Sequence, residues 1–165
     1  MKLHYSLLLA LLLLTTSCGF HLRGSQPGKA TAISSIAISD ISAAGVGTEV
    51  KALLRAYGTS ITASVDDAEF GLQLADQLLN KTVLSVSAID GKVEEYQLTL
   101  TVRMTVTRAD KTELLTGQQI RVTRDYAFDD DAVLGSVSEQ RLLEQEMTRQ
   151  AASQIIRRLS ALTRQ

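Results

Sequence analysis

Few side chains in this 165-residue sequence could carry chemistry, and their spacing does not bring them together. There is one cysteine, Cys18, and there are two histidines, His4 and His21. A nucleophile needs a base beside it and a third group to orient that base. No Gly-x-Ser-x-Gly, His-Glu-x-x-His, phosphate loop or Gly-x-Gly-x-x-Gly occurs to supply such a set. Glu94 and Glu95 invite comparison with the paired carboxylates of hydrolases. Adjacent residues on a strand point to opposite faces, so this pair cannot flank one bond. Asp129, Asp130 and Asp131 lack the alternating spacing and distal glutamate of a calcium loop and read as a solvated turn. No catalytic residue, metal site or cofactor is expected.

Cys18 has a different use. Lys2 and His4 open the chain, an apolar run covers Leu7 to Leu14, and Thr15, Thr16 and Ser17 precede the cysteine. A basic start, a short apolar stretch and small residues make a secretory signal. The run is too short for a membrane-spanning helix, which takes about 20 residues. Thr-Thr-Ser-Cys resembles the bacterial lipobox, with Thr15 where leucine is usual and Leu14 one step further out. A lone thiol is out of place in an oxidising compartment, and acylation removes it. Residues 1–17 are therefore expected to be removed, leaving Cys18 as an N-palmitoyl, S-diacylglycerol cysteine. Several acyl chains on one residue give stable anchoring. Gly19 follows, where aspartate would favour inner-membrane retention in lipoproteins generally. The expected address is the periplasmic face of the outer membrane, a receptor-read signal.

Loss of Lys2 leaves 16 basic and 18 acidic residues, a net charge of −2. Nucleic acid as partner is disfavoured at that charge. The mature length suits one domain with its own core. Residues 18–32, with Gly24, Pro27, Gly28 and Lys29, read as anchor and tether. Residues 33–165 read as a single domain.

Within that domain a first strand is expected around Ile33 to Ile41. Thr48 is placed to cap a helix reaching Tyr57, with Val50, Leu53, Leu54 and Tyr57 on one stripe and Gly58 as its left-handed stop. Ile61 to Val65 fits a short edge strand. Phe70, Leu72 and Leu74 alternate, and Leu84 and Val86 resume later, which fits one long strand or a strand pair with a break near Asn80 and Lys81. Asp90-Gly91 predicts a type I′ hairpin turn. The clearest strand follows: Tyr96, Leu98, Leu100, Val102, Met104 and Val106 face one way, and Gln97, Thr99, Thr101, Arg103, Thr105 and Thr107 the other. A turn through Arg108 to Gly117 leads to a strand with Ile120, Val122, Tyr126 and Phe128 inward. Arg124 falls on its apolar side, which marks a sheet edge or register change. Ser136 and Glu139 have capping-box spacing before a helix from about Val137. Leu143, Met147, Ala151, Ile155, Leu159 and Leu162, widened by Leu142 and Ile156, form its stripe. These elements make an α+β fold, a two-layer sandwich with two helices on one face of a mostly antiparallel four-stranded sheet. Its polar, threonine-rich face is left uncovered.

Three stretches in order carry a resemblance: Cys18 to Gly24 (Cys-Gly-Phe-His-Leu-Arg-Gly), Glu95 to Gln97, and Ser138 to Gln140 opening a helix through Met147, Ala151, Gln154 and Arg157. The chain resembles the LPS-assembly lipoprotein family, LptE, over nearly its whole mature length. The resemblance implies a plug inside the LptD β-barrel, delivery of lipopolysaccharide to the outer leaflet, help in barrel assembly and binding of lipopolysaccharide itself. The family's basic ligand contacts fall here on Ile89 and Ser136, which are not basic. Lys92 is the nearby substitute. Arg103 and Arg121, expected on neighbouring strands of the polar face, suit phosphate through the planar guanidinium fork. A free periplasmic lipid- or ligand-binding lipoprotein is the alternative, and it requires a cavity between sheet and helices.

Overall fold

The computed structural model describes residues 33–163. Residues 1–32, with Cys18, Gly19 and His21, and residues 164–165 lie outside the described residues, so the expected signal segment, lipid site and tether meet no structural observation. Strand β1 (Ser35–Ser39) leads into helix α1 (Ala44–Ala56), then the short strand β2 (Ser60–Thr62). Three long strands follow: β3 (Phe70–Val86), β4 (Val93–Arg108) and β5 (Glu113–Ala127). Helix α2 (Val133–Leu162) ends the fold.

The sheet has five strands in the order β2-β1-β3-β4-β5. It is mixed, which corrects the expected four-stranded, mostly antiparallel sheet. β1 runs parallel to both β2 and β3, while β3, β4 and β5 form an antiparallel meander. Parallel neighbours need a crossover, and α1 supplies it between β1 and β2. Both helices cover one face. Val46, Val50 and Leu54 of α1 and Met147, Ala151, Ile155 and Leu159 of α2 share a core with Ile36, Leu72, Leu74, Leu98, Met104 and Ile120. The two-layer α+β arrangement is as expected.

Helix α1 begins four residues before Thr48. Its first turn holds Gly45 and Gly47, a poor helical composition, but other elements hold it. The Val46 amide donates to Gln77 Oε1 at 3.1 Å, and the Gln77 amide donates to the Ser42 carbonyl. A side chain on Gly47 would place its Cβ 2.6 Å from Asp40 Cβ, so this close approach needs glycine. Thr48 caps nothing; its hydroxyl donates to the Ala44 carbonyl. Gly58 has φ +81°, the left-handed stop expected of it.

β3 is one continuous strand. Its irregularity is a bulge between Ala75 and Leu78, with Asp76 at φ +53°, rather than a break at Asn80 and Lys81. The Asp90-Gly91 hairpin exists, but only Gly91 has positive φ (+71°). The loop is closed by Ser87 donating to Lys92 and Gly91 donating to Ser87. Four residues therefore intervene, and the two-residue type I′ turn is not formed. The next turn is shorter than expected, with Arg108 donating to the Thr112 carbonyl. Gly117 is a bulge inside β5 at φ +59°.

α2 starts at Val133, so Ser136 lies inside its first turns and no capping box forms. The Ser136 hydroxyl accepts from the Asp129 amide at 3.4 Å instead. Leu142 is 65 % exposed and leaves the expected stripe, whereas Ile156 joins it. Arg124 lies on the edge strand β5, half-buried, and donates to Gln150 and Glu146 of α2.

Candidate functional site

The uncovered face of the sheet is built by the period of two in β4 and β5. Leu100, Val102, Ile120 and Val122 turn inward and are buried. Their neighbours Thr99, Thr101, Arg103, Gln119, Arg121 and Thr123 must then turn outward. Arg103 pairs with Gln119, and Thr101 pairs with Arg121. The two arginines are thus diagonal neighbours on one face, roughly 7 Å apart at Cβ. Arg103 is held 3.1 Å from the Asp76 carboxylate, which the β3 bulge brings to it. Arg121 donates to Gln119 Oε1 at 3.2 Å. Both guanidinium groups keep open donors toward solvent, in a field of hydroxyl and amide groups. This arrangement can bind phosphate or a sugar acid.

Lys92 does not join them. It follows the β3–β4 turn, and its Nζ is 3.4 Å from Asp130. The shallow depression there, about 280 Å³, is also lined by Asp90, Glu94 and Asp129. One cation among four carboxylates is a poor anion ligand, whatever its place in the sequence. Asp130 of the acidic run therefore pairs with a lysine, and among the described residues no cluster of metal-binding groups occurs. Ile89 is at the turn's tip, 97 % exposed, and Ser136 is buried.

The sequence reading missed Lys81. Its Nζ lies 3.8 Å from the Tyr96 ring centre, with Tyr126 and Phe128 further off, and donates to Gln140 Oε1 at 3.0 Å. Tyr126 also donates to Gln140. This cluster ties the far end of β3 and β4 to α2. Its signal is a lysine in register with the apolar side of β4, opposite Leu98.

The comparisons agree with this fold. A family model described as LptE, lipopolysaccharide-assembly, matches residues 32–159. The LPS-assembly lipoprotein LptE of Photorhabdus laumondii is 33% identical over 156 residues, covering 93% of this chain and 84% of that protein. The protein of the same name from Pectobacterium atrosepticum is 32% identical over 165 residues, covering 94% and 84%. The solution structure of the uncharacterized lipoprotein B from Nitrosomonas europaea superposes with a TM-score of 0.73 at 28% identity, covering 88% of this chain and 92% of that one. The α+β sandwich is shared with a lipoprotein of known structure. The chain belongs to the LPS-assembly lipoprotein family LptE.

Proposed function

We propose that this chain is an outer-membrane lipoprotein of lipopolysaccharide assembly, working as the plug of a complex with the LptD β-barrel. Residues 1–17 are removed, Cys18 carries the lipid, Gly19 sends the protein to the outer membrane, and residues 18–32 tether the domain. The domain assists barrel assembly and binds lipopolysaccharide, with Arg103 and Arg121 meeting its anionic groups. It catalyses no reaction. The observation that carries this is family membership across residues 32–159, nearly the whole domain. The filled core supports it: Ile36, Leu72, Met104, Met147 and Ile155 are fully buried between sheet and helices. A free lipid-binding lipoprotein needs a cavity there. Among the described residues no helix is long and apolar enough to cross a membrane, and the proposed lipid on Cys18 is compatible with that.

Depletion of the protein tests the proposal, with mature LptD and surface lipopolysaccharide followed together. Both are expected to fall. If both stay normal, the assembly role is wrong and free ligand binding takes its place.

A further inference from the structure

Among the described residues, β3 has a strand neighbour on one side only for most of its length. β1 pairs with Phe70 through Gln73 and stops at Ser39. The loop before α1 then covers the bulge, where Ser42 accepts from the Asp76 and Gln77 amides. From Leu78 to Val86, nine residues, β4 lies on one side. Among the described residues no strand lies on the other.

This free edge has an unusual composition. Leu78, Leu79, Val83, Leu84 and Val86 are each 38–54 % exposed. Leu79 and Val83 share the inner face with their partners Leu100 and Tyr96, while Leu78 pairs with outward Thr101. Apolar side chains therefore flank the free backbone on both faces. Exposed edges are ordinarily guarded by several charges; this one carries Lys81 alone.

We infer that the Leu78–Val86 edge receives an extended segment of the LptD partner as an added antiparallel strand. This rests on the barrel partnership proposed above and names its docking surface. Three considerations select the occupant. The free side of a strand presents amides and carbonyls, which a polypeptide strand satisfies and an acyl chain does not. A second copy paired antiparallel over these nine residues brings the two Lys81 side chains to diagonal positions on one face, a like-charge contact. A foreign strand with alternating apolar residues and a carboxylate opposite Lys81 meets the same edge with charge complementarity. The Lys81 ammonium, held over Tyr96 and against Gln140, is a fixed point for that carboxylate and sets the register.

The experiment is hydrogen exchange resolved to single amides, on the full lipidated chain alone and co-purified with LptD in mild detergent. Amides of Leu78–Val86 that point away from β4 are fast in the free protein and are expected to slow at least roughly tenfold in the complex. The alternate amides, already bonded to β4, stay as they were. A complex that forms while all of Leu78–Val86 exchanges as in the free chain overturns the edge assignment and leaves the barrel partnership standing. Uniform slowing without alternation also overturns it, as coverage of a face. If no complex forms, the partnership itself falls and the edge assignment falls with it.

Discussion

Asp76 Oδ2 stands 3.1 Å from an Arg103 guanidinium nitrogen, although neither residue is buried. The β3 bulge makes this meeting possible, because Asp76 takes a left-handed backbone conformation there. Exposed pairs of this kind contribute about 0–1 kcal/mol. On the proposed binding role of Arg103, the carboxylate would compete with a phosphate without holding the fold together. Asp76→Asn is expected to leave the thermal midpoint nearly unchanged and to tighten lipopolysaccharide binding by roughly twofold, about 0.5 kcal/mol. Titration with a labelled lipopolysaccharide checks this; weaker binding would mean that Asp76 itself contributes to the ligand site.

Charge reversal separates the candidate ligands. Arg103→Glu with Arg121→Glu is expected to weaken lipopolysaccharide binding by roughly tenfold or more, the effect of losing a charge-assisted hydrogen bond. Lys92→Glu, alone, is expected to do little, because Asp130 already occupies Lys92. Circular dichroism should report folded protein in each case. If Lys92→Glu weakens binding and the arginine pair does not, the outer face is not the ligand site.

The β4–β5 turn gives a pH signature. The Asp110 carboxylate accepts from the Thr112 amide at 2.9 Å. Bonds from the Thr112 backbone, then from its hydroxyl, hold the Asp110 pKa below the usual carboxylate value. A carboxyl depressed in the folded state stabilises above its unfolded pKa, and that contribution disappears as pH falls through the folded one. The urea midpoint of Asp110→Ala should therefore fall below wild type near neutral pH, and the gap should narrow in acid. A gap that widens as pH falls contradicts this.

Packing makes contrasting demands along one helix. Met147 and Ile155 are fully buried, so truncation of either to alanine is expected to cost about 2–5 kcal/mol. Leu142→Ala, at an exposed site, should stay within about 0.5 kcal/mol of wild type. Gly47→Ala drives a methyl into Asp40 and is expected to cost about 1–3 kcal/mol. Chemical denaturation ranks the four variants, and a costly Leu142→Ala would place that side chain in the core.

The layer arrangement was legible because β4 alternates without interruption and the helices carry apolar stripes. Arg103 and Arg121 were placed on one face by the same period of two. Pairing was less legible. The parallel neighbours of β1 depend on a five-residue strand and a three-residue strand, too short for a periodic signal. Helix α1 extends through two glycines because Gln77, thirty-one residues away from Val46, supplies the missing acceptor. Asp90-Gly91 sits in a wider loop closed between Ser87 and Lys92, and Ser136/Glu139 lie inside a helix that already starts at Val133. Lys92 looked like a free cation in the sequence, and only folding shows four carboxylates beside it. The open edge of β3 had no signature at all, since it follows from where β1 ends.

The chain enters the sheet beside Phe70, and the β3–β4 turn lies at the opposite end. Seventeen residues of β3 separate them, a rise of roughly 55 Å. If the proposed lipid on Cys18 and the proposed partner edge both hold, the domain would be a cantilever, fixed at one end by the bilayer and engaging its partner at the other. The strand length itself sets how far from the lipid surface the exposed edge and the turn operate, and the antiparallel ladder keeps that distance from collapsing.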